Sequence, residues 1–220
     1  MNAAQKEEGP PGQDESPMTA AQSLAVIQGQ AEKVRQELGI NSTQLFGAWG
    51  IAWTVGWGAF YAAQAGAEPV VPLWVAGLVL AVLLVGAIAV SLAHGIRRSQ
   101  GIRGPSQAMG AMYGFTWMAG FAALVAVNVE ISSSRGLSHD SVVLLWSGTS
   151  LTLTGLLYMA GGVIWRDRLQ YGLGLWMLAS AAGSVFAGVP GNFLVLSLAG
   201  GGGFLAAALC HTLRGRDGIR

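Results

Sequence analysis

The chain has 220 residues, 52% of them apolar and only 10% charged, with 33 Gly, 8 Trp and a formal net charge of +1. Soluble domains average about 25% charged residues, so this deficit points to a chain that lies mostly in lipid. The near-zero net charge removes a global pull toward nucleic acid, and the single Cys210 excludes both an internal disulfide framework and a multi-cysteine metal site.

Residues 1–21 read as a disordered cytoplasmic tail, polar, acidic and rich in Pro and Gly. They contain no apolar core of a signal peptide, so insertion is expected to be led by the first membrane helix. Residues 22–40 read as an amphipathic helix, with Leu24, Ile27, Ala31, Val34 and Leu38 on one stripe and Gly39 as its stop. Such a helix either lies on the inner membrane surface or docks a partner or a second copy.

Residues 41–213 hold six apolar spans, at about 45–65, 71–94, 107–129, 141–164, 171–188 and 192–212. Each approaches the roughly 20 residues that cross a hydrocarbon core. The predicted fold class is therefore all-α, a polytopic membrane bundle of six transmembrane helices arranged as three hairpins, preceded by the amphipathic helix. Residues 214–220 form a basic cytoplasmic tail. With six spans, eleven of the twelve Lys and Arg residues fall on one side and only Arg135 falls on the other. The positive-inside tendency then places both termini in the cytoplasm.

The first span, FGAWGIAWTVGWGAFY, carries Trp49, Trp53 and Trp57 four residues apart, which aligns them on one helix face. Its pattern of aromatic, Gly, Trp, Gly and aromatic recurs in the third span 64 residues later, as Tyr113, Gly114, Trp117, Gly120 and Phe121. Trp176 in the fifth span is a weaker echo. The repeat reads either as hairpin duplication with parallel topology or as a chance alignment of similar compositions. It assigns Trp49, Trp53, Trp57, Gly114, Trp117 and Gly120 to helix packing, with large rings set against small notches, and the small-residue spacing of Ala179, Gly183 and Ala187 assigns Gly183 to packing as well. The run Gly200 to Gly203 reads as close packing or as a hinge or opening in the last span.

The candidates for a pathway are few. Ser147, Ser150 and Thr154 share one face of the fourth span, and their hydroxyls either bond to their own helix or line a polar path. Glu130 and Asp140 gather with Asn128, Glu68 and His139 at the outer ends, as interfacial residues or as an acidic vestibule. No ionisable group sits mid-span, where coupled transporters usually hold one. No catalytic, cofactor or metal constellation is present, and the metalloprotease, nucleophile-elbow and P-loop signatures are missing. The chain does not read as an enzyme, and no cofactor is expected.

The segment from Ser23 to Gln30 and from Leu38 to Gly58, including Leu38-Gly-Ile-Asn41 and Leu45-Phe-Gly-Ala-Trp49-Gly-x-Ala-Trp53-x-x-Gly56-Trp57-Gly58, resembles a group of small polytopic membrane proteins of actinobacteria. These are uncharacterised and sometimes labelled transporter-like. The resemblance implies a plasma-membrane location and supplies no substrate or catalytic residues. The expected function is a permease-like or accessory transport subunit without its own ATP site. A membrane-embedded sensor or regulatory scaffold is the alternative, and a lipid-modifying enzyme a weak third. Expected partners are the lipid bilayer and a second copy or another membrane or cytoplasmic subunit, with no nucleic acid.

Overall fold

A computed structural model of the chain describes residues 19–38, 42–99 and 105–217. The expected tail before residue 19, Arg103 in the basic loop and the final three residues lie outside these. Every regular element among the described residues is helical. The chain divides into two units, Met1–Ile40 and Asn41–Arg220.

The first unit contains α1, Ala20–Leu38. Its start is set by a reciprocal cap. Thr19 Oγ1 accepts from Gln22 N at 3.3 Å, and Gln22 Oε1 accepts from Thr19 N at 2.9 Å. Two of the donors that a helix start leaves unpaired are thereby satisfied. Leu24, Val26 and Ile27 are all exposed.

The second unit is a bundle of α2 (Ser42–Gln64), α3 (Leu73–Ser99), α4 (Pro105–Ser134), α5 (His139–Ile164), α6 (Arg168–Ala187) and a last helix in three parts. That last helix runs as α7 (Gly191–Val195), a π-helical segment (Leu196–Gly201) and α8 (Gly202–Asp217). Four stretches are long and apolar enough to cross a membrane: Leu73–Ile96, Ser106–Ser134, His139–Ile164 and Gly191–Leu213. This marks an integral membrane protein. The other two long helices, α2 with 23 residues and α6 with 20, are rich in Trp, Gly, Ala and polar side chains, which lowers their hydropathy.

The helices pack in the order α3, α2, the last helix, α6, α5, α4. Both ends of this arc are thinly covered, since α3 packs on α2, α4 packs on α5, and α3 and α4 make no substantial contact with each other. Exposed Val82, Val85 and Leu92 on α3, and Met112, Phe115 and Met118 on α4, form the apolar surface expected of lipid-facing helices. The most extensive contact is between α5 and α6 rather than between α4 and α5, so the hairpins are unequal.

The α5–α6 contact follows from three glycines of α5 spaced seven apart, Gly148, Gly155 and Gly162. A spacing of seven keeps residues on one face of a helix. A Cβ at Gly148 would lie 2.7 Å from the Val185 side chain, one at Gly155 would lie 2.9 Å from the Gly174 carbonyl oxygen, and one at Gly162 would lie 2.6 Å from the Tyr171 amide nitrogen. On the α6 side, a Cβ at Gly174 would meet the Gly155 carbonyl oxygen at 2.6 Å. The two backbones thus touch, and dispersion between them replaces the missing hydrophobic drive. The turn leaving α5 puts Arg166 at φ 54°, and Asp167 caps α6 by accepting from Leu169 N and Gln170 N. The turn leaving α6 needs Gly188, at φ 64° and ψ 177°, a conformation open to glycine alone, and is followed by a cis Val189–Pro190 bond.

Gly174→Leu is expected to force α5 and α6 apart. Thermal unfolding of the detergent-solubilised protein should show destabilisation of at least about 2 kcal/mol. Leu at Gly172, where a Cβ meets nothing within 4 Å, should leave the midpoint nearly unchanged.

Candidate functional site

The core is a chain of aromatic rings that crosses the bundle. Phe193 stacks on Trp57 at 5.9 Å, Trp57 meets Trp53 edge-on at 6.4 Å, and Trp53 meets Phe204 at 5.8 Å. Phe204 contacts Tyr158 at 5.6 Å, Tyr158 contacts Trp117 at 5.7 Å, and Trp117 stacks on Phe121 at 6.0 Å. Burial of these large rings dominates packing in the interior.

The motif shared by α2 and α4 makes parallel contacts. Trp49 Nε1 donates to Ser91 Oγ of α3 at 2.9 Å, and its counterpart Tyr113 donates through its hydroxyl to the Leu157 carbonyl of α5 at 2.6 Å. The notch at Gly56 receives Leu80 of α3, and the notch at Gly120 receives Leu153 of α5. One pair diverges. A Cβ at Gly50 would collide with Leu205 of α8, whereas one at Gly114 meets nothing within 4 Å. Helix α2 is flanked on two sides and α4 on one, which accounts for the difference. Gly183 is in ordinary contact distance of Val195, at 3.9 Å.

The hydroxyls of α5 bond to their own helix. Ser147 donates to the Leu144 carbonyl at 3.3 Å and Thr154 to the Ser150 carbonyl at 2.8 Å, and both residues are buried. Ser150 is half-buried. Thr149 also reaches across, accepting from buried Asn128 Nδ2 of α4 at 2.8 Å. Glu130 and Asp140 are exposed near the ends of α4 and α5. Ser147 and Thr154 are thus satisfied within α5, while Glu130 and Asp140 lie exposed at helix ends.

The structure brings together polar groups on the contact between α2 and the last helix. Asn192 is fully buried, at 0% exposure, and neither its Oδ1 nor its Nδ2 has a hydrogen-bond partner in the protein. The same holds for Trp53 Nε1, Thr54 Oγ1 and Trp57 Nε1 on the facing helix. Ser197, in the π segment, donates to the Thr54 carbonyl at 2.7 Å. This closeness depends on two side chains that are missing. A Cβ at Gly200 would lie 2.8 Å from the Trp53 ring, and one at Gly201 would lie 2.6 Å from the Thr54 amide nitrogen. In the same segment the Ala199 carbonyl accepts both from the Gly202 backbone N–H and from Trp176 Nε1 of α6, the latter at 2.8 Å.

Buried amide, hydroxyl and indole groups without partners each cost about 1–3 kcal/mol, and native proteins hold few of them. Four such residues on one helix contact constitute the candidate site. It offers two indole N–H donors, an amide with both donor and acceptor character, and a hydroxyl, with no formal charge. No group of three or more His, Cys, Asp or Glu residues suited to a metal ion occurs among the described residues. In the sequence, Asn192 reads as the end of a turn, and only the Gly200–Gly203 run points to this part of the chain. A comparison with protein-family models, curated proteins and solved structures finds no match.

A polar group kept for stability would be missed on removal, whereas one kept for function would not. Asn192→Leu is therefore expected to raise the unfolding free energy by about 1–2 kcal/mol, read by thermal or denaturant unfolding in detergent. A loss of stability would mean that the amide has a structural partner.

Proposed function

We propose that the chain is a permease-like integral membrane protein of the plasma membrane that binds small uncharged hydrogen-bonding solutes where α2 meets the last helix. The observation that carries this reading is the set of buried, unpartnered polar groups of Trp53, Thr54, Trp57 and Asn192. Irregular backbone at membrane depth is tolerated where it is enclosed by protein or lines a cavity, and a π turn frequently accompanies a functional site. Neutral donors and acceptors suit a neutral solute. A bare ion would find no opposite charge on α2, which has no Asp, Glu, Lys or Arg from Ser42 to Gln64. The sequence shows no P-loop signature, so this reading assigns any ATP coupling to another subunit, and the small size favours a homo-oligomer or a partner membrane or cytoplasmic subunit.

In this proposal six helices span the bilayer, α2 and α6 included, with both termini cytoplasmic. At 1.5 Å per residue, 20 to 23 residues reach roughly the 30 Å of a hydrocarbon core. Reporter fusions to the two termini should both read as cytoplasmic, and an external C-terminus would refute the even span count.

Proteoliposomes should pass glycerol or urea faster than empty vesicles in stopped-flow shrink–swell measurements, while formate and potassium stay excluded. Asn192→Leu should lower the protein-dependent rate at least about tenfold. Rates equal to those of empty vesicles for all four solutes would sink the permease reading. The scaffold reading draws on α1, whose exposed Leu24, Val26 and Ile27 suit a docked partner. Removing residues 1–40 should spare solute flux if the chain is a permease and abolish partner capture if it is a scaffold.

A further inference from the structure

A second feature lies on the opposite side of the π turn from the buried polar groups. A groove of about 340 Å³ runs between α6 and α8, lined by Leu169, Gly172, Trp176, Leu198, Ala206 and Cys210. Its walls are apolar apart from two groups. One is the Trp176 indole, whose N–H is already committed to the Ala199 carbonyl. The other is Arg168, at the end of the groove where α6 begins and α8 ends. Glycine keeps the groove open, since a Cβ at Gly172 or at Gly202 would meet nothing within 4 Å.

The depth of the Arg168 end can be read from its neighbours. Trp165 and Tyr171 are both exposed there, and exposed Trp and Tyr rings gather at the membrane–water interface. Arg166 lies on the same turn. The groove therefore begins at headgroup level and continues along α6 into the hydrocarbon layer. An apolar channel with a cation at its mouth matches a molecule with an acyl chain and an anionic head. Local electrostatics favour the anion. Arg168 occupies the first turn of α6, where the helix dipole is positive, so its own charge is unfavourable until an anion joins it. The Asp167 carboxylate keeps its charge but is held in the cap of α6, its Oδ1 accepting from Leu169 N and Gln170 N at 2.9 and 3.1 Å, and Arg166 on the same turn offsets it. Guanidinium–phosphate bonds are charge-assisted and can be bidentate.

We infer that the α6–α8 groove is a binding site for one anionic phospholipid, with its phosphate on Arg168 and an acyl chain lying along Gly172 toward Leu198. The inference does not depend on what the protein transports. Bound there, the lipid wedges against both α6 and the start of α8, next to the π turn.

The test is native mass spectrometry of the full chain in detergent, titrated with phosphatidylglycerol or with phosphatidylcholine of the same acyl chains. Phosphatidylglycerol should be retained at one copy per chain and preferred about tenfold. Arg168→Gln should erase the preference, and Gly172→Leu, which fills the groove, should weaken both lipids. Arg135→Gln, at the far end of the bundle, should change nothing. Cys210, the sole cysteine in the chain, gives a second readout, because bound phosphatidylglycerol should slow its reaction with maleimide in the unmodified sequence. Equal retention of the two lipids, unaltered binding in Arg168→Gln, or unaltered maleimide rates would each overturn the inference. Cys210–Cys210 cross-linking that phosphatidylglycerol does not suppress would also overturn it, since a second copy would then cover the groove.

Discussion

The backbone of α2 at Thr54 lies directly against Gly201, and the second unit is arranged around that contact. Any side chain at Gly200 or Gly201 would drive the last helix away from the Trp53 ring and the Thr54 backbone. With hydrogen in those positions the Ser197 hydroxyl reaches the Thr54 carbonyl, Phe204 enters the ring cluster between Trp53 and Tyr158, and Phe193 stacks on Trp57. Lipid solvates apolar side chains about as well as another helix does, so close backbone approach must supply most of the association energy. The same device recurs at Gly155 and Gly174, where α5 and α6 meet.

The close approach has a cost that falls on the polar groups. Packing α2 against the last helix leaves Trp53, Thr54, Trp57 and Asn192 with buried donors and acceptors that the protein does not match. A bundle selected only for stability would carry apolar side chains there, since replacing an unmatched buried amide by a hydrocarbon of similar shape is neutral or favourable. Unmatched polar groups where α2 and the last helix, which contains the π segment, come together carry the case for function. The hydroxyls of α5, which satisfy themselves on their own helix, do not carry it.

Much of the bundle is legible in the sequence, because uninterrupted apolar runs leave few alternatives to a helix. The expected spans at 71–94 and 107–129 correspond to α3, Leu73–Ser99, and α4, Pro105–Ser134. Helix α4 runs beyond its limits at both ends and α3 beyond its C-terminal one, because hydropathy marks the lipid-buried portion while backbone hydrogen bonding continues into polar flanks such as His94 to Ser99; α3 starts two residues late, after Pro72. The last span, expected at 192–212, lies within the continuous run from Gly191 to Asp217, and the suspected opening at its glycines coincides in part with the π segment. Two features could not be read. The seam of Gly148, Gly155 and Gly162 is hidden by the abundance of glycine, since a spacing of seven among 33 Gly carries little information without knowledge of the facing helix. Asn192 follows a Pro-Gly pair, so local chemistry points to a turn; its burial comes from tertiary packing of α7, which contacts α6 and also α2, more than a hundred residues away in the sequence.

That separation bears on how the protein is made. The Ser197–Thr54 bond joins residues 143 apart, and Thr43 pairs with Thr212 across 169. At 5–20 residues per second, α2 waits roughly 6–30 s after its own synthesis before its partner leaves the ribosome. During that interval the Gly50 notch and the Trp53 and Trp57 rings lack the last helix, against which they pack. Ser91 of α3, which accepts from Trp49, is therefore an early holding contact that keeps α2 in register until the last helix arrives. A chain interrupted anywhere before Asn192 leaves α2 without the Ser197 hydroxyl, the Phe193 ring and the close approach of Gly201.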